Sequence, residues 1–71
     1  MPTSFETAVN LRVDYDKKLR AGDETNSFLL DQVLPAVDAA INAGSSKQDI
    51  HNEADRRYGQ WLIDNAGRQN R

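Results

Sequence analysis

Two glycines divide this chain into three segments, each long enough for one helix and each carrying apolar residues at helical spacing. Gly22 and Gly44 suit the left-handed conformation in which many helices end. No segment alternates apolar and polar residues as a half-buried strand would. The sequence therefore predicts an all-α fold: one compact three-helix domain over residues 1–71, with consecutive helices antiparallel because their connections are short.

The first helix is predicted over residues 4–20. Thr3 and Glu6 have the spacing of a capping box, in which the Thr3 hydroxyl accepts from the Glu6 amide and the Glu6 carboxylate reaches back. At about 100° per residue the helix has one apolar face, which Val9 and Val13 widen on one side. That face consists of Phe5, Ala8, Leu11, Tyr15 and Leu19.

The second helix is predicted over residues 24–43. Pro35 interrupts it, because proline has no amide to bond the Asp31 carbonyl and its ring crowds that carbonyl. The apolar stripe keeps its phase across Pro35, which favours one helix with a proline kink over two short helices. The stripe consists of Leu30, Val33, Leu34, Val37 and Ile41.

The third helix is predicted over residues 46–66. Serines before it supply caps, Gly67 is expected to end it, and residues 67–71 are expected to fray. Large apolar residues of the three helices should meet in one core. The predicted core consists of Leu11, Tyr15, Leu30, Leu34, Val37, Ile41, Ile50 and Trp61.

Reactive groups are too few to predict an enzyme. The chain has no cysteine, its single histidine is His51, and its glycines are too scattered for a phosphate-binding loop. Asp49 and Glu53 lie one helical turn apart, a spacing that is typical of a solvated face paired with nearby arginines. We therefore expect no catalytic residues, no cofactor, no metal site and no small-molecule substrate.

Composition and charge favour a cytoplasmic protein that binds another protein. The net charge is -2, which does not favour nucleic acid as a partner. No stretch approaches the roughly 18 consecutive apolar residues of a membrane span. The first residues have neither the basic start nor the apolar centre of a signal peptide, so we expect the chain to stay in the cytoplasm, without membrane contact.

Six apolar or aromatic residues are candidates for an interface. Four of them lie off the main stripes and would form a seam for a homodimer or another protein. Tyr58 and Trp61 are of the types that most often anchor interfaces, although both also suit the core. The first interpretation is therefore a non-enzymatic protein-binding module, such as a small adaptor, inhibitor or regulatory subunit. The seam residues are Val9, Val13, Phe28 and Ile63.

A second interpretation is a helix-turn-helix DNA-binding transcriptional regulator. Ala40, Gly44 and Ile50 have the spacing of that motif, in which a small residue permits close packing, a glycine turns the chain and an aliphatic residue packs back. Residues 34–58 are loosely similar to helix-turn-helix segments of plasmid and phage regulators. A glycine stop followed by a serine cap would explain the same residues in any helical hairpin. The candidate DNA contacts are Ser46, Lys47, Gln48, His51 and Asn52 for bases, and Arg56 and Arg57 for phosphates.

Overall fold

Three helices make up the fold in a computed structural model that describes the backbone of residues 3–69 and the side chains of residues 3–66. The predicted all-α class is confirmed, and the described residues contain no strand. No helix in this part of the chain is long and apolar enough to cross a membrane. The helices are α1 (Ser4–Ala21), α2 (26–42) and α3 (Lys47–Gln69).

Four of the helix ends follow the predicted caps, whereas α2 begins at Asn26, two residues later than predicted, and its N-cap Thr25 makes no side-chain hydrogen bond. Thr3 Oγ1 accepts from the Glu6 amide at 3.1 Å, and Ser46 Oγ accepts from the Gln48 amide at 3.1 Å. Gly22 and Gly44 both have positive φ, at 81° and 106°. The amides of Gly44 and Ser45 reach back to the last turn of α2, which satisfies carbonyls that the helix leaves open.

A π-helical turn lies within α2, immediately before the proline. The helix consists of Asn26–Phe28, the π-helical stretch Leu29–Val33 and Leu34–Asn42, which follow one another without a break. The Leu34 amide donates to the Leu29 carbonyl, five residues back, instead of to the carbonyl four residues back. The chain therefore widens its helix next to Pro35, and the angle of the expected kink stays a prediction.

The end of α3 differs from the predicted one. Helix continues through Gly67 to Gln69, whereas the sequence predicted that Gly67 would end it. A glycine lowers helix stability but ends a helix only where the chain turns away, as it does at Gly22 and Gly44. Residues 70 and 71 of the expected frayed tail lie outside the described residues.

The core forms where α1 packs against both other helices, while α2 and α3 contact each other much less. Three fully buried alanines, one from each helix, leave room for the backbones to approach. Of the eight predicted core residues, Val37 and Ile50 are buried; Leu11, Tyr15 and Trp61 are half-buried. The buried residues are Ala8, Val9, Val13, Val33, Val37, Ala40, Ile50 and Ala54.

The remaining three predicted core residues, Leu30, Leu34 and Ile41, are exposed, which corrects the prediction. The apolar stripe of α2 is wider than the surface that packs against α1. The helix turns its smaller residues Val33 and Ala40 inward, and this rotation leaves the larger aliphatic residues at the edge of the core. With little contact between α2 and α3, that edge stays in contact with solvent.

Candidate functional site

An aliphatic row runs along one side of α2. We use this name for Leu30, Leu34 and Ile41, whose exposed fractions are 61%, 44% and 40%. Spacings of four and seven residues place their side chains on one face of a helix. Single exposed aliphatic residues are ordinary, but three along one side of one helix are typical of a binding surface.

An acidic row lies beside the aliphatic row, farther from the core. It consists of Asp31 and Asp38, which are exposed and seven residues apart, so that both project from the same side of α2. The sequence has no lysine, arginine or histidine between residues 21 and 46. The face formed by the two rows, called the α2 face below, is therefore apolar along one edge and negatively charged along the other.

Two of the four residues of the expected seam, Val9 and Val13, lie in the core instead, which corrects the prediction for them. The reason is that α1 packs against two helices and so needs a wide apolar surface. On the side of α1 that carries Val13, α3 packs against the helix, and the Glu6 carboxylate forms an ion pair with Arg57 of α3. On the opposite side, Lys18 lies over the half-buried ring of Phe28 in α2, 5.2 Å from its centroid.

The aromatic residues of α3 pack against each other and against α1. The rings of Tyr58 and Trp61 are stacked with their centroids 5.8 Å apart, and both residues are half-buried. Lys17 of α1 places its Nζ atom 5.0 Å from the centroid of the Trp61 ring. Both rings are thus partly occupied by contacts within the chain, whereas Ile63, the last seam candidate, is 67% exposed on α3.

Arg57 connects α3 to α1 through charged hydrogen bonds. Its guanidinium donates to both carboxylate oxygens of Glu6, at 2.8 and 3.0 Å, and to Asn10 at 3.2 Å. It also donates to Glu53, one turn earlier on α3, at 2.7 Å. The hydrogen bond from Arg57 lowers the pKa of Glu6. Because both carboxylate oxygens of Glu6 accept from Arg57, only the Thr3 half of the expected capping box is present.

Glu53 also binds Arg56, which donates to both of its carboxylate oxygens. The hydrogen bonds from Arg56 and Arg57 lower the pKa of Glu53 to about 2. Both arginines that the DNA interpretation assigns to phosphates are therefore engaged by carboxylates of the chain itself. A phosphate would have to compete with these pairs for either guanidinium.

The candidate base contacts lie at the start of α3 and are partly engaged as well. Ser46 caps the helix, and Gln48 Nε2 donates to Asn52 Oδ1 at 3.1 Å. His51 is half-buried, whereas Lys47 is exposed. All five candidate base contacts thus lie at the N-cap or in the first two turns of α3.

The three residues of the helix-turn-helix spacing lie at the junction of α2 and α3. Ala40 and Ile50 are completely buried, and Gly44 makes the turn between them with positive φ. A helical hairpin of any function that joins its helices by such a turn would show the same features.

Comparison with protein-family models, with curated proteins and with solved structures finds no match to this chain.

Proposed function

We propose that this chain is a non-enzymatic protein-binding module that acts through the α2 face. The observation that carries the proposal is the aliphatic row: Leu30, Leu34 and Ile41 are each at least 40% exposed along one line of a helix. A partner that covered this row would remove large aliphatic side chains from water, which is the main favourable contribution to association. The absence of cysteine suits work in the reducing cytoplasm.

Site-specific cross-linking tests this proposal. A benzophenone-bearing amino acid is placed at position 30, in the aliphatic row, and at position 63 as a control of similar exposure on α3. In extract of the cells that make the protein, position 30 should form a protein adduct that position 63 does not form. Glutamine at positions 34 and 41 should abolish the adduct. Equal adducts at both positions, or none at position 30, would contradict the proposal.

DNA binding through the start of α3 is the second candidate, and the buried Ala40 and Ile50 around Gly44 favour it. Under this candidate Gln48→Ala should cost about 1–3 kcal/mol of discrimination at one base pair. Arg56→Ala should instead weaken binding to all sequences and reduce the salt slope by about one.

Gel-shift titrations with duplex DNA at two salt concentrations separate the two candidates. The protein-binding proposal predicts no sequence-selective complex, because Asp49 and Glu53 oppose phosphates beside the supposed reading helix and Arg57 is held by Glu6. A sub-micromolar selective complex at physiological salt, lost on Gln48→Ala with Arg56 intact, would establish the DNA candidate instead.

A further inference from the structure

The α2 face combines two properties that together restrict its partner. Its aliphatic row is a narrow strip along a helix, a shape that fits the apolar face of another helix laid alongside. Its acidic row runs parallel to that strip, so a partner helix would bring one polar flank close to Asp31 and Asp38. The partner's charge on that flank decides whether the contact is attractive or repulsive.

The charged residues in the segment that contains α2 all have the same sign. Every charged residue from position 21 to position 46 is acidic, namely Asp23, Glu24, Asp31 and Asp38. By contrast, the exposed Ile63 on α3 is followed by Asp64 but belongs to a helix that also carries arginines. The α2 face thus combines an apolar strip with charged residues of α2 that are all acidic, while Lys18 of α1 lies near the start of α2, over Phe28.

A second copy of the chain fits this face poorly. If two α2 helices paired through their aliphatic rows about a two-fold axis, the same face would lie on both sides of the interface. The acidic rows of both copies would then flank one apolar seam with no basic residue of α2 to offset them. Like charges held close together in this way oppose association.

We infer that the partner of the α2 face is an amphipathic helix of another protein, with aliphatic residues on one side and lysine or arginine along the flank. This inference rests on the proposed protein-binding function and adds the chemistry of the partner. The aliphatic contacts supply most of the affinity, and the basic flank sets the orientation of the bound helix and speeds its association.

A pair of synthetic helical peptides tests the inference. One peptide has leucine on one face and lysine elsewhere, and the other has glutamate in place of every lysine. Binding of each fluorescently labelled peptide to the full chain is measured by anisotropy at low and at high salt. The lysine peptide should bind, and more weakly at high salt because surface charges are then screened, whereas the glutamate peptide should not bind.

Matched variants locate the binding. Leu30→Gln should weaken the lysine peptide about tenfold, whereas Ile63→Gln, at a residue of similar exposure, should leave it unchanged. The double variant Asp31→Asn/Asp38→Asn should weaken it about fivefold at low salt. The double variant Asp14→Asn/Asp64→Asn changes the net charge equally at exposed residues of α1 and α3 and should have little effect. Circular dichroism confirms that each variant is folded.

Four results would overturn the inference. Equal weakening of peptide binding by the two double variants would show that only the net charge of the chain matters. Equal binding of both peptides would show that the acidic row does not favour a basic partner. Self-association in light scattering that Leu30→Gln abolishes would identify a second copy as the occupant. If cross-linking at position 30 persists while the lysine peptide fails to bind, the α2 face is a protein-binding surface for a partner of different charge, and only this inference fails.

Discussion

Arg57 is the residue that joins α1 and α3 by charge. It binds Glu6 of α1 and Glu53 of α3 with the same guanidinium, so one side chain links the two helices. Half-exposed ion pairs of this kind contribute modestly to stability, but a network restricts geometry more than an isolated pair does. Its pH dependence makes the network measurable.

Stability should fall as acid protonates this network. The pKa of Glu53 is lowered from 4.5 to about 2, and that of Glu6 is also lowered. Groups with a depressed folded-state pKa stabilise the fold above their unfolded pKa and lose that contribution as the pH falls through the folded pKa. The free energy of unfolding should therefore decrease from about pH 4.5 towards pH 2, and less so in Glu53→Gln.

Asp16 acts in the opposite direction, because burial raises its pKa. Its protonation below the folded pKa favours the folded state, so it partly offsets the loss from the two glutamates. Comparing Glu53→Gln with the unaltered chain by urea unfolding across this range cancels the Asp16 contribution, which both proteins share. Parallel pH profiles of the two proteins would show that neither Arg56 nor Arg57 holds Glu53 in solution.

The contact between Lys17 and Trp61 gives a second prediction at this scale. Trp61→Ala should cost about 2 kcal/mol in urea unfolding, below the value for a fully buried tryptophan, because Trp61 is half-buried. Combined with Lys17→Met in a double-mutant cycle, it should show coupling of about 0.5–1 kcal/mol. Lys18→Met, which alters the neighbouring contact with Phe28, serves as the control and should be additive with Trp61→Ala. Additivity in both pairs would contradict the ring contact.

At the scale of the helices, the sequence predicted most of the helix ends but not the internal geometry of α2. Thr3 and Ser46 predicted where α1 and α3 begin, and Gly22 and Gly44 predicted where α1 and α2 end, because caps and glycine turns depend on local chemistry. The sequence did not predict the π-helical turn before Pro35. Proline signals only a missing hydrogen bond, and a bend, a break or a wider turn all accommodate that loss.

Replacing the proline tests what the wider turn is for. Pro35→Ala restores an amide, which can donate to the Asp31 carbonyl and draw the turn back to α-helical geometry. Since Pro35 is exposed, the change should be neutral or stabilise the protein by about 1 kcal/mol in urea unfolding. Ala39→Gly, in the same helix and also exposed, should cost about 1 kcal/mol and shows that the assay detects changes of this size. A clear loss of stability in Pro35→Ala would indicate that the proline stabilises the turn.

At the scale of the whole molecule, the sequence predicted the helices but placed the core inaccurately. Periodicity identifies the apolar side of each helix. It does not show which neighbouring helix packs against that side, or how large the contact area is. Here α1 lies against both other helices, so Val9 and Val13 became core. The larger residues Leu30 and Leu34 were left exposed, and with them the candidate site.

The pairing of Glu53 with nearby arginines was predicted and is present. The same limit explains why the pairing of Arg57 with Glu6 was missed. Arg57 and Glu6 are 51 residues apart, and nothing local to either indicates the pairing. The sequence pattern assigned Glu6 to helix capping and Arg57 to phosphate binding, because these are the roles that neighbouring residues in the sequence support. A contact of this kind follows from the packing of α1 on α3, which the sequence pattern does not determine.

The most direct test of the account is to map binding on the isotope-labelled chain by nuclear magnetic resonance. Adding the lysine peptide should shift the amide signals of α2, with the largest changes at Leu30, Leu34 and Asp38, and leave those of the first turns of α3 in place. Adding duplex DNA should cause no saturable change. Saturable shifts at Lys47, Gln48 and the following turn on adding DNA, with the α2 signals unmoved by peptide, would contradict the account.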